Sequence, residues 1–515
     1  LKLSYIPAGM EREDDQGQVT TLGKVLKDIA RDGYGSGTPH RYMVNGGFVL
    51  RQTPDKKQTF MFGAMGQGGR GAYALDIGAV ANSDRSGWDK TVPLFETEKG
   101  SGNKLGYTIG STQIGRVSIK RDTTPVNLES NVRYAGFLAS GYRTEDVNSE
   151  DNDTALYVYD MTGKEAGTKN AGTNVSSKAG ELLAKISASK ANGKGGLSTP
   201  TLVDTDFDGI VDIAYAGDRY GNMFRFDLRG KTESEWSAQM IFQGSGNQPI
   251  TSAPAVSRRG KDKYVVIFGT GSEIYQNELT NTNGQINAVY GIYDDVSTDA
   301  VLAKSSELEQ QTRESEGEHI YVSDNKVGEG KKGWSLTLDP NERVTVKPTM
   351  ILRTAVVTIR KYETKTIHTD SSSTDVCLPD STSTQTTAKT IILGVNAENG
   401  GRLGLRDARI SSKDRTFIKR ENNGQIYYAN GMTFDGVINF TYMNSSKADD
   451  SPVTADGDSG GTGTDKELNA TPSVPNNKCF ATKGDRSLLS NQLVSLEVQG
   501  RTCGLKRISW RELFF

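Results

Sequence analysis

Cysteine, histidine and tryptophan are scarce in this chain, at three, three and four residues among 515. Three cysteines are too few for a disulfide framework, and Cys377, Cys479 and Cys503 nowhere form the C-x-x-C spacing of a zinc or redox motif. Cys479 and Cys503 flank a short hairpin-like segment and are candidate disulfide partners suited to an oxidising compartment, with two reduced thiols as the alternative. Cys377 has no evident partner. His40, His319 and His368 are far apart in sequence, and none stands in a metal or triad context. Also missing are a G-x-S-x-G elbow set between a strand and a helix, the bare spacing at Gly457–Gly461 falling in a polar tract, and the H-E-x-x-H helix, so no specific case for catalysis arises and we expect a protein that is not an enzyme. No apolar stretch approaches the ~18–20 residues needed to span a bilayer, and no charged segment followed by an apolar one opens the chain. We therefore expect no transmembrane segment, with any targeting signal upstream of Leu1. Net basic charge is absent as well: the formal charge is −2 and the lysines and arginines are scattered, which argues against nucleic acid as a partner.

Glycine, by contrast, is abundant. The chain has 58 glycines against 35% hydrophobic residues, and the apolar residues fall in short runs separated by Gly, Asn, Asp and Ser. This is the texture of an all-β protein rich in turns. One pattern recurs: a run of β-formers, a glycine-containing turn, then a second run with an aromatic and a closing aspartate. The copies are Phe60–Phe62 with Tyr73–Asp76, Tyr134–Leu138 with Leu156–Asp160, Ile213–Ala216 with Met223–Leu228, and Tyr264–Gly269 with Val289–Asp294. The closing aspartates stand at 76, 160, 227 and 294, spacings of 84, 67 and 67 residues, each enough for one large blade of a β-propeller. Thr390–Val395 with Gly404–Ile410, and Leu493–Val498, read as weaker copies. A two-sheet sandwich fits less well, because Greek-key connections do not repeat strand pairs at a long regular interval. The expected organisation is a lead-in over residues 1–40 with a short helix near Thr21–Arg31, then a propeller over 41–515 of about seven blades. Polar insertions near 146–153, 371–387 and 444–463 are expected to be loops. Ala179–Ser187 is a second, weaker helix candidate.

The strongest chemical signal is Asp204-Thr205-Asp206-Phe207-Asp208-Gly209-Ile210-Val211-Asp212, with carboxylates at positions 1, 3, 5 and 9 and glycine at 6. A hard cation wants six to eight oxygens at roughly 2.3–2.6 Å, and alternate residues of a tight loop point inward when glycine permits the turn. The expected ligands are Asp204, Asp206, Asp208, the Ile210 carbonyl and Asp212, and the expected ion is Ca2+, because Mg2+ favours fewer protein ligands. Packed carboxylates repel one another without a metal, so an unfilled loop should be disordered or partly protonated. A solvated acidic turn is the bland alternative, and four acids in register with a glycine weigh against it. The clusters at Asp146–Asp153 and Asp456–Asp465 lack such a register and read as loops. Gly66-Gln67-Gly68-Gly69-Arg70-Gly71 matches a dinucleotide fingerprint, but a strand follows where a helix N-terminus would be needed, so it reads as a turn.

Taken in order, the stretch Gly66–Asp76, Ser198-Thr199-Pro200 leading into the acidic loop, Tyr215–Asp218 with Gly221–Asp227, and Phe268–Gly271 resembles the C-terminal region of the PilC/PilY family of type IV pilus tip and biogenesis proteins. The tail Cys503–Glu512 resembles the PilC branch. The resemblance implies a modified, quinoprotein-like β-propeller at the pilus tip or outer membrane of a Gram-negative bacterium. Its partners would be major or minor pilins and a host-cell surface receptor. It further implies that calcium at the loop counters pilus retraction, favouring extension, twitching motility and adhesion. Two readings compete with it: a calcium-dependent quinoprotein-like dehydrogenase, which should show adjacent cysteines, and a carbohydrate-binding propeller, which should show exposed aromatics at equivalent blade positions. No two cysteines are adjacent, and the four tryptophans do not recur with the blades.

Overall fold

The computed structural model describes residues 3–10, 20–36, 40–82, 85–97, 104–142 apart from 123 and 128, 152–164, 177–188, 195–275, 278–279, 285–351, 353–369, 381–403, 419–422, 425–438, 441–443, 487–489 and 495–497. The chain divides into two compact units, Leu1–Glu309 with Val327–Pro348, and Gln310–Lys326 with Thr349–Phe515.

In the first unit the lead-in carries a helix at Leu22–Ile29, capped by the Thr21 hydroxyl accepting from the Lys24 amide. All four strand pairs read from the repeat are antiparallel hairpins: Thr59–Ala64 with Ala72–Asp76, Val132–Ala139 with Ala155–Asp160, Ile213–Gly217 with Met223–Asp227, and Lys263–Gly269 with Ala288–Asp295. A strand on each side of every hairpin builds four successive sheets, to which the third adds Ala303–Lys304, parallel to Ser237–Gln243, and the fourth adds Glu309–Gln311. The outer strand of the second sheet is Leu182–Ser187, so the helix expected over Ala179–Ser187 is a strand instead. Gly180 makes a left-handed turn into it, at φ +84°. It then pairs with Ala155–Tyr159 and buries Ile186, and that edge outweighs a weak helical propensity.

The near-continuous apolar runs follow from burial on both faces of each sheet. Alternate residues of one strand enter two different cores. Leu156 and Val158 pack toward the third sheet with Ala214, Ala216, Phe224 and Phe226, whereas Tyr157 and Tyr159 pack toward the first with Phe60 and Phe62. Ile213 and Tyr215 face the fourth sheet, against Tyr264, Val266 and Phe268. Each hairpin end also touches the segment that leads into the next sheet: Gly66 N–H donates to Thr108 O, Ile250 N–H to Asp218 O, and Val344 N–H to Thr270 O. Gly66 has φ +64°, and a Cβ there would collide with the backbone of Gly46.

The closing aspartates have two jobs. Asp76, Asp160 and Asp227 accept from the amide two residues on, at Gly78, Thr162 and Arg229, turning the chain out of the strand. Asp160 also pairs with the fully buried Arg133 at 3.5 Å. Asp294 instead ties the fourth sheet to the third, accepting from Arg225 at 2.9 Å and from the Tyr215 hydroxyl at 2.7 Å.

The second unit is built on two long strands, Thr354–Thr369 and Ser381–Asn396, paired antiparallel along their length. Gly431–Asp435 pairs with the latter, His319–Val322 with Gly431–Met432, and Arg313–Glu316 with His319–Val322. The tract 371–387, expected as a loop, is therefore strand from Ser381 onward. Its threonines are β-branched, and Glu363–Thr369 supplies a ladder for a segment that has no apolar pattern of its own. Thr390–Val395 is strand as expected, but its described neighbours are Thr354–Arg360 and Gly431–Phe434. Gly404–Ile410 and residues 444–463 lie outside the described residues, as does 146–153 up to Asp151.

Removing one member of a buried pair leaves the other charge uncompensated, at a cost of about 3–5 kcal/mol. Asp294→Ala, which strands the 2%-exposed Arg225 side chain, should therefore lower the urea unfolding midpoint more than Asp76→Ala. The latter loses hydrogen bonds from the Gly78 and Thr59 amides and from the Gln58 side chain rather than a buried ion pair, at about 1–3 kcal/mol. Equal shifts would show that the seam pair carries no special weight.

Candidate metal centre

The loop Asp204–Asp212 joins the strands Thr201–Val203 and Ile213–Gly217 of the third sheet, which pair Val203 with Ile213. Phe207 and Gly209 both take left-handed conformations, at φ +66° and +87°, and fold the loop back on itself. Asp204 accepts from the Phe207 amide at 2.6 Å through one oxygen and from the Gly209 amide at 2.8 Å through the other. Asp206 accepts from Asp208 N–H at 3.2 Å, and Asp208 from Ile210 N–H at 2.7 Å. These short turns direct three side chains to one side: Asp204, Asp206 and Asp208 each bring a carboxylate oxygen within 4.8 Å of the other two.

Burial raises the Asp204 carboxyl above its ordinary value, and the negative charges of Asp208 and Asp212 add to the shift, against the two amide donors. Burial likewise raises Asp208, with Asp206 and Asp212 adding to it, while the Ile210 amide and Arg121 pull the other way. The repulsion expected to disorder such a loop is thus partly offset by N–H donors within it. Three converging carboxylates can hold a metal ion, and an all-oxygen donor set is the kind that hard divalent cations take.

The triad holds three of the four expected carboxylates. Ile210, expected to contribute through its backbone carbonyl, has a fully buried side chain. Asp212 is buried, and its carboxylate is engaged elsewhere: one oxygen accepts from Arg121 Nη1 at 2.7 Å, the other from the Thr205 amide at 2.8 Å and the Thr205 hydroxyl at 2.5 Å. Arg121 also donates from Nη2 to the Val211 carbonyl at 2.8 Å. It belongs to the connection between Gln113–Ser118, an edge strand of the second sheet, and its neighbour Val132–Ala139, so the loop is tied to the sheet before it. Val211 N–H adds a bond to the Arg116 carbonyl at 2.8 Å. On the other side, the exposed Phe207 ring lies under the Arg258 guanidinium of the fourth sheet, 5.3 Å from its carbon. Sequence reasoning missed Arg121 and Arg258 because nothing local marks them; Arg121 is 91 residues from Asp212.

The remaining candidates resolve as follows. Gly66–Gly71 is the turn between Thr59–Ala64 and Ala72–Asp76, with a strand after it. His40 lies against the rings of Tyr34 and Tyr42, and His319 sits in a strand. Asp153 accepts from Tyr157 Oη and pairs with Lys185. Trp236 and Trp334 are buried and present no exposed platform for a sugar ring. All three cysteines and Asp456–Asp465 lie outside the described residues. Among the described residues no helix is long and apolar enough to cross a membrane.

Residues 1–326 match the family described as the PilY1 beta-propeller domain. The type IV pilus biogenesis factor PilY1 of Pseudomonas aeruginosa (strain UCBPP-PA14) is 27% identical over 290 residues, covering 50% of this chain and 22% of that protein. A PilY1 homologue of Xylella fastidiosa is 26% identical over 298 residues, covering 53% of this chain and 17% of its own. The match therefore spans about a fifth of the length of these relatives. The crystal structure of the P. aeruginosa PilY1 C-terminal domain superimposes with a TM-score of 0.59 over 89% of this chain and 85% of that one, at 19% identity, a likeness of fold.

Gly209→Ala places a Cβ where φ is +87°, and the left-handed region costs a non-glycine residue roughly 1–2 kcal/mol. Thermal unfolding of this variant should shift downward accordingly, and an unchanged midpoint would mean that the loop adopts another turn.

Proposed function

The chain belongs to the family of PilY1 β-propeller domains, and from that membership we propose that it is the calcium-responsive propeller of a type IV pilus biogenesis factor. The family consists of pilus biogenesis factors rather than enzymes. On this reading the domain works outside the cytoplasm, at the pilus tip or outer membrane, against major or minor pilins and a host-cell surface receptor. Its calcium state biases extension against retraction, and with it twitching motility and adhesion. The PilC branch resemblance rests on the tail, beyond the matched residues 1–326.

The observation that carries the proposal is the convergence of Asp204, Asp206 and Asp208. They sit at alternate positions of a loop whose turn depends on Gly209. Calcium is the ion whose coordination best suits them: it accepts many oxygens in flexible geometry, including backbone carbonyls such as that of Ile210. Magnesium demands near-ideal octahedral geometry and keeps its waters. A ligand that binds only the folded loop stabilises it by about 2.7 kcal/mol when present at a hundred times its Kd. That is enough to change the order of a segment lying between two sheets.

Titration calorimetry on this chain and on Asp204→Ala with Asp208→Ala, together with pilus counts in a strain carrying the same changes, tests the reading. Calcium binding by the wild type that is lost in the variant, with fewer surface pili, is the expected result. A wild type that binds no calcium would falsify the metal assignment. Lost binding with normal piliation would reduce the ion to a structural staple.

A further inference from the structure

Asp212 is the fourth carboxylate of the acidic loop, and it is not among the three that converge, although its charge acts on Asp204 and Asp208. Its two oxygens are held by Arg121 and by the amide and hydroxyl of Thr205. The Arg121 and Asp212 side chains are only 10% and 4% exposed, so the pair is largely shielded from water. The guanidinium spans two acceptors at once, Asp212 through Nη1 and the Val211 carbonyl through Nη2. Its Nε is buried with no hydrogen-bond partner. The arginine is thus already short of one partner and depends on Asp212 for its charge compensation. The Arg121 backbone amide donates to Lys231 O, just beyond the second hairpin strand of the third sheet. One residue of the second sheet's connection thereby grips the third sheet at two places.

Resting on the metal reading above, we infer that Arg121 and a cation at the triad compete for the Asp212 carboxylate, so that Arg121 is a positioning residue that sets the metal affinity of the loop. A divalent ion among Asp204, Asp206 and Asp208 attracts a fourth carboxylate at the ninth position of the loop. Delivering Asp212 to it breaks the 2.7 Å contact with Arg121. Filling the site then releases the grip between the second and third sheets, and the strength of that grip is subtracted from the binding free energy. Thr205 fits the same scheme: its amide and hydroxyl both hold the oxygen of Asp212 that Arg121 leaves free. The chemistry that recognises the ligand remains carboxylate oxygen. What the arginine adds is a threshold concentration of cation and a mechanical consequence at the seam.

The test is calcium calorimetry on the full 515-residue chain as wild type, Arg121→Gln, Asp212→Asn and the double variant. Arg121→Lys serves as a second probe that keeps the charge but gives up the two-pronged grip. The expected result is a Kd about tenfold tighter for Arg121→Gln than for wild type, an intermediate gain for Arg121→Lys, and a gain in the Asp212→Asn background at least threefold smaller. Hydrogen exchange at the Arg121 amide should also quicken when calcium is added to the wild type. A Kd unchanged or weakened in both Arg121 variants overturns the inference while leaving the metal site standing. The same gain with and without Asp212 also overturns it, by reducing Arg121 to a general positive charge. Absence of binding in the wild type removes the metal reading and this inference together.

Discussion

The first unit depends on one constraint: a sheet with two apolar faces cannot stand alone, so the second and third sheets lie between two others and the first covers its outer face with Leu3, Tyr5, Val80 and Trp88. Residues of odd and even register in a single strand belong to different cores, as Leu156 and Tyr157 do. A side chain changed in one strand is therefore felt in one neighbouring seam and spared in the other. The same constraint explains the small residues at the hairpin ends, where chain entering one sheet passes close to the turn of the sheet before.

Burial on both faces leaves few places for charge, and the arginines inside are paired. Arg133 pairs with Asp160 at the end of its strand, and Arg225, in the middle of Met223–Asp227, pairs with Asp294. Buried ion pairs gain little net stability over apolar packing, but they penalise misregistered pairing heavily because each partner is costly alone. Arg225–Asp294 acts in this way across the seam between the third and fourth sheets, and Arg133–Asp160 within the second sheet's own hairpin.

The acidic loop obeys the same logic on a smaller scale. It sits at the start of the third sheet's hairpin and is held from the second sheet by Arg121 and from the fourth by Arg258 over Phe207. A metal loop on an isolated hairpin would report only on its own folding. This loop is instead tied to both neighbouring sheets, through Arg121 on Asp212 and Arg258 over Phe207.

Much of this was legible beforehand. The four hairpins, their turns and their closing aspartates follow from local pattern, because β-former runs, glycine turns and Asx turns act over a few residues. So did Asp204, Asp206 and Asp208, whose convergence needs only a two-residue spacing and a glycine. Tertiary structure decided the rest. Leu182–Ser187 is a strand because an edge lay open to receive it, and the threonine-rich residues from Ser381 are a strand because a long partner faces them. Asp212 is held by Arg121 because a residue 91 positions away in sequence lies beside it in space. Short-range hydrogen bonding is written into the chain; which distant charge competes for a carboxylate is settled only when the sheets have packed.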